Sequence, residues 1–115
     1  MDNLKRPINV HQQYHSHVYF DKDTLHFASE LCATTGKRFG LHVGRVHQKP
    51  VGPHTKWSCQ ILFSNEDFDA VIPWLDNHRG NLSVLVHGST GDALADHTIN
   101  AYWLGDVVEL DLRGF

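Results

Sequence analysis

An α+β sandwich in the order βαββαβ is the fold the sequence predicts, and three observations predict it. Four short segments alternate apolar and polar residues with the two-residue period of half-buried strands. Two longer segments between them carry apolar residues at helical spacing. No repeat, low-complexity stretch or linker interrupts the 115 residues, so one domain, 1–115, accommodates them all. This order is the ferredoxin-like arrangement, in which both helices cover one face of the sheet.

The elements follow in turn after a polar N-terminal arm, 1–12. Residues 14–20 alternate and are rich in β-formers, which predicts the first strand. Asp21 or Asp23 can cap a helix running to Lys37, with Gly36 near its end. Leu25, Ala28 and Cys32, with Phe27 and Leu31, give it an apolar stripe. Residues 41–47 read as the second strand and 48–53 as a turn-rich loop. Across 54–63, Thr55, Trp57, Cys59, Ile61 and Phe63 alternate with His54, Lys56, Ser58 and Gln60, which predicts a half-buried third strand. Ser64 and Asp67 form a capping-box pattern, followed by Phe68, Val71, Ile72 and Leu75 at i, i+3, i+4 and i+7. Pro73 should kink or split that helix. Residues 82–87 complete the core pattern. Beyond them, 98–104 and 107–112 both alternate around Gly105-Asp106, which predicts an additional C-terminal β-hairpin over 98–112. The hairpin needs cover, from the open sheet face or from a second subunit.

Composition narrows the function. A net charge of −3, with no basic run, argues against nucleic acid and membrane surfaces as partners. No apolar stretch approaches the roughly 18 residues that span a bilayer, and the N-terminus lacks the apolar core of a signal peptide. The expected location is cytoplasmic. Cys32 and Cys59 lack CxxC spacing and fall on buried sides, so both read as small core hydrophobes. The anomaly is histidine, with 10 in the chain, because imidazole is the commonest metal ligand and the usual general acid or base.

Strand alternation sorts these histidines by face. With Ser16, Val18 and Phe20 toward the helices, His15, His17 and Tyr19 share the open face of the central first strand. On the third strand that face takes His54, Lys56, Ser58 and Gln60. On the fourth it takes Ser83, Leu85 and His87. Same-face residues two apart lie about 7 Å apart at Cα, so neighbouring imidazoles can converge on one divalent ion. The segment from Gly88 through Asp92 to Asp96-His97 can close over them and supplies the nearest carboxylates. His11, His26 and His78 are expected in solvent, His78 at a helix C-terminus. His42 and His47 are unassigned, because 41–47 gives no clear face. Arg45 can hold a substrate carboxylate in a bidentate fork or make a surface ion pair. Trp57 and Trp74 read as core; Trp103 as core, interface or substrate wall.

At these residues the sequence resembles the DOPA 4,5-dioxygenase family, small extradiol ring-cleaving enzymes of fungi and bacteria. The matching segments are Tyr14-His15-Ser16-His17-Val18-Tyr19-Phe20, Gly44-Arg45-Val46-His47 through Pro50-Val51-Gly52-Pro53-His54, Val86-His87-Gly88-Ser89-Thr90-Gly91-Asp92, and Asp96-His97-Thr98. They span 14 to about 104, and Gly88 stands where the family usually has proline. The resemblance implies a ferredoxin-like fold, a homodimer, a non-haem Fe(II) centre that Zn(II) can occupy instead, and a catechol such as L-DOPA cleaved with O₂. It points to His17, His54 and His87 as metal ligands, with His15 a fourth candidate. His97 or His15 would be the acid/base, with Tyr19 hydrogen-bonding beside them. Arg45, Lys56 and Trp103 are the substrate-binding candidates. If the commoner two-histidine, one-carboxylate set applies, Asp92 or Asp96 replaces one histidine.

Two other readings fit the same residues. Three histidines and a water equally suit a non-oxidative zinc enzyme. A ferredoxin-like domain also serves as a non-catalytic dimeric ligand-binding module, with the open face as its interface.

Overall fold

The computed structural model describes residues 7–115, so the first half of the polar arm lies outside the described residues. The elements are β1 (Gln13–Phe20), α1 (Leu25–Phe39), β2 (His42–His47), β3 (Trp57–Ser64), α2 (Asn65–His78), β4 (Val84–Gly88), a short α3 (Ala93–Asp96) and β5 (Ala101–Leu104). The strands form one sheet in the order β2-β3-β1-β4-β5. Every neighbouring pair is antiparallel. The α+β class and the βαββαβ core are therefore as expected, with β1 between β3 and β4. No helix among the described residues is long and apolar enough to cross a membrane.

The two long helices pack on one face. Val18 and Phe20 from β1, Cys59, Ile61 and Phe63 from β3, and Val84 and Val86 from β4 meet Ala28, Leu31, Cys32, Val71 and Leu75 there. Full burial of each large aliphatic contributes roughly 1.5–3 kcal/mol. Both cysteines are buried and free. α1 runs past the predicted end, because Gly36 is an interior, buried residue under Val43 and Gly40 supplies the left-handed cap at φ 66°. Phe27, placed on the apolar stripe from sequence, is instead 46% exposed, its ring beside Gly80. Pro73 does not interrupt α2. Both Pro73 and Asp69, whose carbonyl loses its helical donor, are exposed, so water can satisfy the freed group. A bulge between Val43 and Val46 shifts the β2 register, which is why 41–47 showed no clear face.

The other face is covered by the chain itself. The predicted C-terminal hairpin does not form. Its first arm is the edge strand β5, paired with β4, and 107–112 belongs to no strand. After Gly105 (φ 80°) the chain folds back over the open face, where Val108 and Leu110 pack on Tyr19, Leu85, Ala101 and Trp103. The alternation read as a strand reflects one-sided burial against the sheet, not pairing with a neighbouring strand. Thr55 Oγ1 donates to Glu109 O (2.7 Å) and Asp111 N to Pro53 O (2.8 Å), tying this tail to the loop before β3.

Candidate metal centre

The third strand starts later than expected. β1 ends at Phe20, paired with Trp57, so 54–56 have no neighbouring strand on that side and stay in the loop. His54 is thus a loop residue, its N–H donating to Val51 O (3.0 Å). It nevertheless reaches over the open face and is 7% exposed.

Five histidines gather there. His17 Nε2 lies 3.0 Å from His87 Nε2. The His17 ring is 4.2 Å from His54 between centroids, and the His87 ring is 4.4 Å from His97. His15 lies 5.2 Å from His87, its register partner across β1 and β4. Among the described residues, two sets of three have ligand nitrogens mutually within 4.8 Å: His15, His17 and His87, and His17, His54 and His97. His17 belongs to both. A pocket of about 260 Å³ opens beside them, lined by His15, His17, His87, His97 and the segment from Ser89 to Asp96.

The outer nitrogens are held from behind. His87 Nδ1 meets Gly88 O at 2.9 Å and His97 Nδ1 meets Ala93 O at 2.7 Å. A carbonyl only accepts, so both rings carry hydrogen on Nδ1 and present a bare Nε2. His54 Nδ1 is 2.6 Å from the Tyr19 hydroxyl. His15 Nδ1 is 2.8 Å from the Gln60 amide nitrogen. Phe115 stacks on the His97 ring at 5.0 Å.

Burial sets the protonation. It holds His17 well below the ordinary imidazole value, with the neighbouring histidine charges adding to the effect. Burial brings His54 down to about 4, helped by His97 and His47. Burial also lowers His87 to about 4, against the opposing pull of its bond to Gly88. His15 is lowered by burial and then by His97. Burial pushes the Tyr19 phenol above its ordinary range. Near neutral pH the lowered imidazoles are neutral, the form that binds metal.

The structure thus brings His15, His17, His54, His87, His97 and Tyr19 together. Trp103 stacks on Tyr19 (5.9 Å) beneath the tail, outside the histidine pocket. Arg45 is exposed on the edge strand β2, with β3 between it and β1. Lys56 is exposed and lines a separate cleft of about 720 Å³. Asp92 caps α3, accepting from Ala95 N, and Asp96 accepts from both Thr90 N and Thr90 Oγ1. Both carboxylates are therefore engaged in shaping the loop. His26 and His78 are exposed as expected. His11 is not: its ring packs over Gly88 and its Nε2 is buried. Sequence reasoning missed Gln60 and Phe115, whose neighbours depend on cross-strand register and on the path of the tail.

Comparison with known proteins follows the same lines. A profile of the Dopa 4,5-dioxygenase family matches residues 14–114. An uncharacterized 21.2 kDa protein of Botryotinia fuckeliana is 38% identical over 84% of this chain and 59% of its own length. A DOPA 4,5-dioxygenase of Amanita muscaria is 32% identical over 88% of this chain and 48% of its own. The chain spans about half the length of these curated relatives. A crystal structure of a proposed dioxygenase from Nostoc punctiforme superposes with a TM-score of 0.84 at 41% identity, covering 87% of both chains.

Proposed function

The chain belongs to the Dopa 4,5-dioxygenase family, and from that premise we propose that it opens a catechol ring by extradiol cleavage with O₂ at an Fe(II) ion held by histidines. The observation that carries this reading is the convergence of His17, His54, His87 and His97 on one covered sheet face. The donor set fits such an ion. Imidazole nitrogens suit Fe(II), and Zn(II) as a substitute. His87 and His97 offer Nε2 with the opposite nitrogen tied to a carbonyl, the support that metal-bound histidines usually have.

His17 is the central ligand of the proposed set, because both triads contain it. His87 and His97 join it, and His54 does so with Tyr19 accepting from its Nδ1. When bound, Fe(II) would supply open positions for a catecholate and O₂ and ease deprotonation of the catechol. The protein does the rest. The pocket beside Ser89, Gly91 and Ala93 admits the ring. Trp103, Val108 and Leu110 exclude water from the opposite flank. His15, half-buried on the pocket wall, donates a hydrogen bond to a catechol oxygen.

Anaerobic loading with Fe(II), then addition of L-DOPA and air, tests the proposal. A visible ring-opened product with one O₂ consumed per catechol is expected. No oxygen uptake across several catechols, with iron demonstrably bound, would sink the oxidative reading and favour zinc chemistry.

A further inference from the structure

The histidines of this cluster are sorted by what holds their outer nitrogen, and one holder differs in kind. His87 and His97 face carbonyl oxygens, which accept. His15 faces the amide nitrogen of Gln60, which only donates, at 2.8 Å. A neutral His15 receiving that bond has a bare Nδ1 and carries its hydrogen on Nε2. Gln60 stands directly across from His17 in the β1–β3 register, on the same open face. It is therefore fixed by backbone pairing diagonally beside His15.

We propose that Gln60 is a positioning residue that keeps His15 out of the metal's ligand set and makes it a hydrogen-bond donor at the pocket wall. The inference rests on the metal reading above and deepens it. Position alone does not distinguish His15 from a ligand, because its nitrogen lies within 4.8 Å of those of His17 and His87. The tautomer does. A ring with hydrogen on Nε2 has no lone pair there to give an ion, but it has an N–H to donate to a substrate oxygen.

The test uses isotope-labelled histidine in the full chain loaded with Cd(II), a diamagnetic stand-in, and reads nitrogen tautomers and cadmium–nitrogen coupling by NMR. In the parent protein, His15 should show an unprotonated Nδ1, a protonated Nε2 and no coupling to cadmium. His17 and its partners should couple. In Gln60→Glu the new carboxylate accepts from Nδ1, Nε2 becomes bare, and His15 should gain coupling, with Cd(II) binding tightened about tenfold, at the lower end of what such supporting groups usually contribute. Coupling of His15 in the parent protein, or an Nδ1 that carries hydrogen, would overturn the proposal while leaving the metal reading intact. Cadmium coupling to no histidine at all would overturn the metal reading and this proposal with it.

Discussion

Acidification of the metal-free protein provides a direct measure of what burying the histidines costs. His54 and His87 are 7% and 3% exposed, and burial brings both down to about 4 from the ordinary imidazole value of 6.5. Because their folded-state values are depressed, the unfolded chain binds more protons than the folded one between about 6.5 and 4. Stability conferred by the neutral forms is thus complete above 6.5 and is lost as pH falls toward 4. At roughly 1.4 kcal/mol per pKa unit, the two groups together withdraw about 3–4 kcal/mol between pH 7 and 5. His17 acts in the same direction. A domain of this size has about 5–15 kcal/mol in all, so a large share of its stability is at stake. Urea unfolding of chelator-treated protein at pH 7, 6 and 5 should show the midpoint falling steeply with pH. Saturating Zn(II) at pH 7 should raise it, since an ion that binds only the folded state adds stability by mass action. A midpoint unchanged from pH 7 to 5 would refute the idea that these rings are buried and neutral.

Further outcomes follow from individual contacts. His17→Ala should abolish tight metal binding, since both triads lose a member, and calorimetric titration with Zn(II) checks this. Tyr19→Phe removes the hydroxyl on His54 Nδ1 and should weaken Zn(II) binding about 10- to 100-fold while leaving the circular dichroism spectrum unchanged. Asp92→Ala deletes the α3 cap and should cost about 1 kcal/mol without changing metal stoichiometry; a lost ion would make Asp92 a ligand after all. Gly36→Ala drives a methyl group into Val43 and should destabilise by about 1–3 kcal/mol, read by thermal unfolding.

The periodic parts of the fold were legible because burial on one face leaves a repeating mark. Val18 and Phe20, or Phe68, Val71 and Leu75, declare their element without any knowledge of its partners. The faces of His15, His17 and His87 followed from the same two-residue rule. His54 was assigned to the right face for an incomplete reason: its parity matched β3, but the strand stops where β1 stops, and a loop delivers the ring. The terminal segment misled because Val108 and Leu110 pack on the sheet without a paired strand. Gln60 was placed on the open face but not beside His15, since that contact depends on register between strands 45 residues apart. α3 was invisible because four residues carry too little periodicity to register.

The bonds joining Thr55 to Glu109 and Pro53 to Asp111 also bear on the order of assembly. His15 and His17 are adjacent on one strand, but the group they join is closed by His87, His97 and a segment from the far end of the chain. Such distant pairings are slow to form. On the proposed metal reading, the His15-Ser16-His17 stretch would meet an ion before its partners are in place. A weak early complex on that stretch would then mature into a tight one only when residues 106–111 lie across the sheet. Capture of the ion and completion of the fold would thus be one late event.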